Sequence, residues 1–310
     1  MGKKIRIGSR DSVLAIKQAE IVMASVKSNN PAISFDHMKI KTTGDKVLDR
    51  SLAEIVGDSA GEYNVGKGLF IKELEQALLD GVIDIAVHSY KDMPYEEHKE
   101  LPIVALSERE SPFDVLVLPA GISQFDFKKP VGSCSLRRTI QFNRLYPAVD
   151  TEPSRQTKNI RGNVLTRLSK LDSGEYSALI LAEAGLNRLG LQNRISRIFT
   201  ADEMIPSASQ GILAVQGRQG EDYSYLSSFH SQKSEIISKA ERQFLKTLGS
   251  GCTSPVAAYA QMHGNEILMM GMYVCHNGRI ETGRISGDTS KAEFMGDSLA
   301  KQLKARTEGQ

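Results

Sequence analysis

The stretch "VIDIAVHSYKDMP", from Val82 to Pro94, is an apolar run that changes abruptly into polar residues. A short run rich in Val and Ile is typical of a buried strand, and the polar residues from Ser89 onward predict that the strand ends there. Just before it, "GKGLFIKELEQALLDG" has the spacing of an amphipathic helix, with Gly81 as its stop. We expect the inward face of this helix to carry three leucines: Leu74, Leu78 and Leu79.

Strand and helix patterns alternate on both sides of this stretch. "KKIRIG" predicts a strand, "SRDSVLAIKQAEIVMASVKS" a helix, and "FDHMKIKTTGD" a second strand that ends in a turn. This β-α-β-α-β alternation predicts an open, largely parallel sheet with helices on both faces. A second α/β unit begins near Ser111, where the alternation repeats in "DVLVLP", "VGSCSLRRTIQFNRLYP", "GNVLTRLSKLDSG" and "YSALILAEAGLNRLG".

The last third of the chain has a different character. "SASQGILAVQGR", which follows Met204, predicts a strand with which the chain crosses back into the first unit. From about Ser231 a helix precedes two hairpin signals, one around Gly264 and one at Gly278. The predicted fold class is therefore α/β, with two doubly wound α/β domains and a small C-terminal α+β domain with an antiparallel sheet. The predicted domains are residues 1–108 with 212–229, residues 111–206, and residues 231–310.

Composition narrows the class of protein. With 40% hydrophobic and 25% charged residues the chain is typical of a soluble globular protein, and it lacks Trp, which speaks against base stacking. No apolar run reaches the length of a membrane span or of a signal sequence, so we expect a cytoplasmic protein without a membrane partner. The spacing of Cys134, Cys252 and Cys275 fits neither a disulfide framework nor a metal site. We expect no metal and a core position for Cys275. For Cys134 we expect a small buried thiol, with a second reactive thiol near the cleft as the alternative.

Positive charge is concentrated in the second unit. Between Arg137 and Lys170 there are eight Lys or Arg residues but only two acidic residues, although the whole chain carries a formal charge of only +2. A focused cationic surface predicts a polyanionic partner, and six arginines among the eight favour bidentate binding of carboxylate or phosphate. An ordinary solvated face is the alternative interpretation.

Polar residues follow several predicted strands at their carboxyl ends, where ligands bind in open α/β sheets. They are Arg10 and Ser12 after the first strand, Ser89, Lys91 and Asp92 after "IDIAVH", and Ser133, Ser135, Arg137 and Arg138 after "PVG". Seryl helix starts offer N–H groups and a positive dipole end to anions. We expect these arginines and Asp92 to converge on a cleft between the two α/β units. For Asp92 alone, a helix-cap or turn aspartate is the alternative.

A thiol in an open turn is unusual, because cysteine is generally buried or paired. Cys252 lies in "GSGCTSPVAAYA", among glycines and small polar residues that bury a side chain poorly. An accessible sulfur that reaches thiolate character can act as a nucleophile. The sequence therefore marks Cys252 as a candidate site of covalent chemistry.

Several uncommon strings occur in one order that resembles a known family. "IGSRDSVLAIKQA", "GKGLFIKELE", "HSYKDMP", "GSCSLRR", "NIRGNVLTRL", "AGLNRLGL" and "GSGCTSP" have the order and spacing found in hydroxymethylbilane synthase, also called porphobilinogen deaminase. The likeness covers the chain from Ile5 to about Leu303. A set of strings in one order is far more specific than any one of them.

The resemblance implies that Cys252 carries a dipyrromethane cofactor through a thioether, as a primer built from the enzyme's own substrate. Four porphobilinogens would be condensed head to tail with loss of ammonia, and water would then release the linear tetrapyrrole. Asp92 would be the catalytic carboxylate. The carboxylates of substrate and cofactor would be bound by Arg10, Arg137, Arg138, Arg161, Arg167 and Arg188, assisted by Ser12, Ser89, Lys91, Ser133, Ser135 and Gln210. For each arginine, a structural salt bridge is the alternative.

The sequence departs from the family pattern at several places. The loop from Gly57 to Val65 is longer than usual, which affects the loop contacts implied for Lys67 and Lys72. Residues 150–159 form a polar insertion for which the sequence offers no physical account. Ser209 stands where glycine is common, beside Gln210, and Leu165 replaces a residue that is commonly small.

Two functions from other classes remain open. The two lobes with a chain crossover also resemble type II periplasmic-binding-protein lobes, so a two-lobed anion-binding protein without catalysis is the main alternative; it would leave Cys252 idle. A nucleic-acid-binding surface is the other, but the basic cluster lacks interleaved aromatic residues and any recognition motif. We therefore expect porphobilinogen as the partner, no nucleic acid, and a monomer.

Overall fold

The computed structural model describes residues 3–43, 71–96, 98–126, 129–147, 157–249, 255–275 and 278–308. Its strands are β1 Lys4–Arg10, β2 Ser34–Ile40, β3 Ile85–Ser89, β4 Ile103–Leu106, β5 Asp114–Val117, β6 Val131–Gly132, β7 Thr157–Lys158, β8 Ala178–Ala182, β9 Arg197–Ile198, β10 Leu213–Gly217, β11 Ala257–His263, β12 Glu266–Val274 and β13 Ile280–Asp288. Its α-helices are α1 Val13–Asn29, α2 Lys72–Leu79, α3 Leu136–Leu145, α4 Val164–Asp172, α5 Glu183–Arg188, α6 Gln232–Leu248 and α7 Ala292–Glu308. Short 3₁₀ turns cover Tyr90–Asp92, Gln192–Arg194, Ser224–Leu226 and Thr289–Lys291.

The first sheet has the strand order β2-β1-β3-β10-β4. Strands β2, β1 and β3 run parallel, whereas β10 returns from the distant part of the chain and pairs antiparallel with β3 and β4. Helix α1 packs on one face of this sheet and buries Ala19, Val22 and Val26 there. Helix α2 packs on the other face of the sheet and buries Leu74 and Leu78.

The prediction for Leu79 is wrong. Its side chain is 43% exposed, whereas Leu74 and Leu78 are fully buried. Helix α2 is short, and Leu79 is its last residue. Successive residues of an α-helix point roughly 100° apart, so Leu79 turns away from the stripe that Leu74 and Leu78 form at positions i and i+4.

The second sheet repeats this plan with the order β7-β6-β8-β5-β9. Strands β7, β6 and β8 are parallel, and β5 pairs antiparallel with β8 and β9. Alternate residues of β8 face opposite sides: Leu179 and Leu181 pack with Leu168 of α4, whereas Ile180 packs with Phe142 of α3. Two mixed, doubly wound sheets confirm the predicted fold class.

The third sheet is the predicted antiparallel meander β11-β12-β13. Its two turns contain Gly264 and Gly278, whose φ angles of +60° and +82° favour glycine. The chain forms two compact units, Met1–Glu110 with Ile212–Ile236 and Ser111–Gly211 with Ile237–Gln310. The division into three domains stays a prediction. Within the described ranges, no helix has both the length and the apolar character needed to cross a bilayer.

Candidate functional site

A small pocket lies where β1 and β3 end. The two strands are parallel neighbours, so their carboxyl ends meet at one edge of the sheet. The pocket has a volume of about 100 Å³. It is lined by four of the predicted site residues, Arg10, Ser12, Ser89 and Asp92, together with His88. The structure thus brings together residues that are far apart in the sequence.

Local hydrogen bonds fix the position of the residues that line this pocket and of the turn that follows Ser89. Ser12 is the N-cap of α1, and its hydroxyl oxygen accepts a hydrogen bond from Ala15 N at 3.3 Å. Ser89 accepts one from the buried amide of Gln18, at 2.9 Å between Nε2 and Oγ. Directly after Ser89, the backbone N–H of Tyr90 donates to Ile212 O at 3.0 Å and begins a 3₁₀ turn.

That turn carries Lys91 and Asp92 to the end of the sheet. Asp92 is exposed and Lys91 is half-buried. The next residue, Met93, is buried and its N–H closes the turn on Tyr90 O at 3.1 Å. Asp92 is therefore exposed to solvent at the end of a turn that is anchored by the buried side chains of Tyr90 and Met93.

His88 is a pocket residue that sequence reasoning missed, because it appears there only as the last part of an apolar strand. Its side chain is 6% exposed. Burial lowers the pKa of His88 to about 4, against the opposing effects of the Gln216 amide and the Asp92 carboxylate. The imidazole is therefore neutral at physiological pH. The alternation of side chains along β3 is the signal that could have placed a polar group at this position.

Lys67 and Lys72 are the two loop contacts that were predicted in the first unit. Lys72 is exposed at the start of α2. Lys67 and the long loop from Gly57 to Val65 lie outside the described residues. Cys252 does as well.

In the second unit, Ser133 and Ser135 shape the start of α3. Ser133 follows β6 and is buried, and its hydroxyl accepts a hydrogen bond from Ser135 N at 3.2 Å. Ser135 is the N-cap of α3, and its hydroxyl accepts from Arg138 N at 3.4 Å. The two serines therefore satisfy backbone donors at the helix start.

Arg137 and Arg138, in the first turn of α3, are buried and share one carboxylate. Arg137 Nη1 lies 2.7 Å from Asp114 Oδ2, and Arg138 Nη2 lies 2.8 Å from Asp114 Oδ1. Each guanidinium also donates to a backbone carbonyl, Arg137 to Ile205 O at 2.7 Å and Arg138 to Ile180 O at 3.1 Å. Sequence reasoning missed Asp114, which appears there only as the first residue of an apolar strand.

The other predicted residues of this unit differ in how they are held. Arg167 and Arg188 are half-buried and donate to backbone oxygens, of Gly162 at 2.8 Å and of Gly211 at 2.6 Å. Gln210 is buried and its amide donates to Pro112 O at 2.7 Å and to Asp114 Oδ1 at 3.0 Å.

Arg161 stands apart from these. Its Nε is buried and has no hydrogen-bond partner among the described residues.

The two other thiols correct the sequence-based predictions. Cys134, expected to be a buried thiol, is exposed between Ser133 and Ser135. Cys275, expected in the core, is only partly buried, because it follows the end of β12 and its N–H bonds to Arg279 O in the last hairpin. The described ranges contain no cluster of three or more His, Cys, Asp or Glu residues suited to a metal ion.

Two family models match this chain. The dipyrromethane cofactor binding domain of porphobilinogen deaminase matches residues 5–225, and the porphobilinogen deaminase C-terminal domain matches residues 236–305. The chain belongs to the porphobilinogen deaminase family. This confirms the resemblance found in the sequence.

Curated relatives match at full length. The porphobilinogen deaminase of Acetivibrio thermocellus is 51% identical over 300 residues, which cover 97% of this chain and 98% of that protein. The one from Alkaliphilus oremlandii is 50% identical over 305 residues, 98% of each chain. That of Ruminiclostridium josui is 49% identical over 305 residues, also 98% of each.

The described residues fit the cofactor of the porphobilinogen deaminase family. Each pyrrole of a dipyrromethane bears an acetate and a propionate, so the group is polyanionic. The predicted binding residues are guanidinium, hydroxyl and amide groups, which suit carboxylates. The buried Nε of Arg161 in particular lacks an acceptor within the described residues, and a ligand carboxylate would supply one.

Proposed function

We propose that this chain is a hydroxymethylbilane synthase, a transferase of tetrapyrrole and heme biosynthesis. It would join four porphobilinogens head to tail, with loss of one ammonia from each, and release the linear product by hydrolysis. The observation that carries the proposal is the pocket at the ends of β1 and β3. There an exposed carboxylate, Asp92, shares one small pocket with Arg10 and two seryl hydroxyls.

Cys252 would hold the dipyrromethane through a thioether. When bound, the group supplies the primer to which the first porphobilinogen is joined. The nucleophile must be a thiolate, and the neighbouring glycines in the sequence add no side chains of their own.

The arginines would bind the acetate and propionate groups of the growing chain. Because a guanidinium forms two parallel hydrogen bonds with a carboxylate, it fixes the direction of the pyrrole as well as its position. We assign this role to Arg10, Arg137, Arg138, Arg161, Arg167 and Arg188, with Ser12, Ser89, Lys91, Ser133, Ser135 and Gln210 as further contacts and with Lys67 and Lys72 as loop contacts.

Asp92 would act on the reacting pyrroles. When porphobilinogen loses ammonia, its methylene carbon becomes cationic, and a ring carbon of the attacking pyrrole forms the new bond and then loses its proton. A carboxylate that accepts hydrogen bonds from pyrrole N–H groups stabilises this positive charge in the transition state. Because Asp92 is open to solvent, it can also pass the released proton to water.

The location, the oligomeric state and the partners of the protein are also part of this proposal. We propose that the protein acts as a cytoplasmic monomer on a small-molecule substrate, without a nucleic-acid or membrane partner. These assignments follow from the family and from the composition of the chain.

Incubation with porphobilinogen and measurement of released ammonia tests the function. A hydroxymethylbilane synthase consumes porphobilinogen continuously and releases four ammonia molecules per tetrapyrrole. A two-lobed anion-binding protein would bind porphobilinogen without releasing ammonia. Binding without ammonia release would therefore overturn the proposal in favour of that alternative.

A further inference from the structure

Asp114 is a fully buried carboxylate that contacts three of the residues assigned to substrate binding. It is the first residue of β5 and is 0% exposed. Its oxygens lie 2.7 Å from Arg137 Nη1 and 2.8 Å from Arg138 Nη2, and Oδ1 also accepts hydrogen bonds from Arg138 Nε at 2.9 Å and Gln210 Nε2 at 3.0 Å. Burial alone would raise the pKa of Asp114, but the two guanidinium charges outweigh it and hold that pKa well below its usual range.

The charges of this cluster do not balance. Two buried guanidinium groups face one carboxylate, and the described residues supply no second acidic partner to either arginine. Among the described residues, one positive charge in a buried setting is therefore left without a counter-charge. A buried charge of this kind is costly unless an anion compensates it.

The first unit contains a cluster of similar construction that does balance. Asp84 Oδ1 lies 2.5 Å from Arg6 Nη2 and 3.4 Å from Arg218 Nη2, and Arg218 Nε lies 2.6 Å from Glu221 Oε1. Two guanidinium groups thus face two carboxylates. None of these four residues lines the pocket that contains Asp92. The charges around an aspartate between two arginines can therefore balance, as they do around Asp84. Among the described residues, the charges around Asp114 do not balance.

We propose that Asp114 is a positioning residue that fixes Arg137 and Arg138 in advance for one carboxylate of the substrate chain. This proposal rests on the proposed function, because it needs the substrate to be a polycarboxylate. Asp114 pairs with Arg137 through Nη1 and with Arg138 through Nη2 and Nε, and one net positive charge is left for the incoming carboxylate. The two side chains then lose little further freedom when the substrate binds.

Gln210 and Ser209 support the same arrangement. Ser209 has a φ of +59°, a left-handed conformation that is uncommon for a residue other than glycine. Its N–H donates to the buried Glu241 at 2.6 Å, measured to Oε2, which holds the turn. The turn brings the Gln210 amide to Asp114. We assign Gln210 a role in orienting Asp114, in addition to any contact with substrate.

The test compares Asp114→Asn with the matched control Asp84→Asn. Both substitutions remove one carboxylate charge from between two arginines and leave a nearly isosteric amide. The first readout is the rate at which phenylglyoxal, a reagent for guanidinium groups, modifies Arg137 and Arg138, followed by peptide mass mapping. The second readout is KM and kcat for porphobilinogen.

In Asp114→Asn we expect both arginines to react at least about tenfold faster and KM to rise by about tenfold, with kcat within about threefold of the wild-type value. The Asp84→Asn control keeps wild-type reactivity at Arg137 and Arg138 and a KM within about twofold. Unchanged reactivity in a folded Asp114→Asn protein, or equal KM changes in the two variants, overturns the proposal.

A milder variant covers the case in which Asp114→Asn does not fold by circular dichroism. Gln210→Met removes one donor to Asp114 without changing any charge, and we expect reactivity at Arg137 and Arg138 to rise by about threefold. Unchanged reactivity in this variant overturns the proposal.

The phenylglyoxal readout does not need turnover. A wild-type protein that releases no ammonia would overturn the proposed function, whereas the modification rates still decide whether Asp114 positions the arginines.

Discussion

The pocket at the ends of β1 and β3 and the arginine cluster around Asp114 hold their charges in opposite ways. In the pocket, Asp92 is exposed and Arg10 is half-buried, so water reaches both. In the cluster, Arg137, Arg138 and Asp114 are buried and fixed by several hydrogen bonds. Both regions lie at the carboxyl ends of parallel strands in sheets of the same plan, and therefore the difference does not come from topology.

This difference favours separate roles for the two regions: catalysis in the pocket and substrate binding in the arginine cluster. A solvent-open carboxylate can exchange protons with water and approach different pyrroles in successive cycles. A guanidinium held by a buried carboxylate cannot move far, but it binds an anion at a small entropic cost. We therefore expect substitutions in the pocket to lower kcat and substitutions in the second unit to raise KM.

The largest effect should come from Asp92→Asn. The amide can still accept a hydrogen bond but carries no negative charge, so we expect kcat to fall by about 10³-fold. KM should stay within about threefold of wild type. Steady-state kinetics with porphobilinogen measures both. Near-normal turnover would remove Asp92 from the mechanism, and a rise in KM alone would make the pocket a binding region like the other.

A second test concerns the buried imidazole beside Asp92. The folded pKa of His88 is about 4, below the value of about 6.5 in the unfolded chain, so between these values only the unfolded state binds the proton. The stability contributed by the neutral His88 is therefore complete above pH 6.5 and is lost as the pH falls toward 4.

The variant His88→Gln lacks this titration. The difference in unfolding free energy between wild type and variant should shrink by about 3 kcal/mol between pH 6.5 and pH 4. Urea unfolding at a series of pH values measures it. A difference that does not change with pH would mean that the folded pKa of His88 equals its unfolded value, so that burial does not hold the imidazole neutral at acidic pH.

The smallest effect concerns Arg161, whose Nε has no acceptor within the described residues. Arg161→Gln should raise KM for porphobilinogen by about tenfold, because the variant loses one charge-assisted hydrogen bond to the substrate. It should leave the melting temperature nearly unchanged. Arg194→Gln is the matched control: Arg194 lies 2.7 Å from Asp172 and has no assigned role. The control should lower the melting temperature slightly and leave KM unchanged. The reverse pattern would make Arg161 a structural residue.

The parts of the fold that could be predicted are those with strong local signals. The apolar run "IDIAV" and the glycines at 264 and 278 mark a buried strand and two hairpins without reference to the rest of the chain. Leu79 was misplaced because it follows Leu78 directly, and packing against the sheet decides which of two neighbouring leucines faces inward. Cys134 was misplaced because exposure in a turn depends on neighbours that local sequence does not specify.

The residues of the functional site also could be predicted only where a local pattern indicates their position. The positions of Arg10, Ser12, Ser89 and Asp92 follow from the rule that ligands bind at the carboxyl ends of parallel strands. Asp114 could not be found this way, since it begins an antiparallel strand and meets Arg137 only through the packing of α3 on the sheet. A buried charge network depends on contacts between distant segments, and no local pattern encodes it.

The proposed function depends on Cys252, which we propose carries a covalent primer made from the substrate. The most direct test is the intact mass of the purified protein, before and after incubation with porphobilinogen, beside a Cys252→Ser variant treated in the same way. We expect the wild type to exceed its sequence mass by two porphobilinogens less two ammonia molecules, and the variant to match its sequence mass. A wild type that stays unmodified after incubation, or an adduct that persists in Cys252→Ser and maps to the exposed Cys134, would contradict the claim.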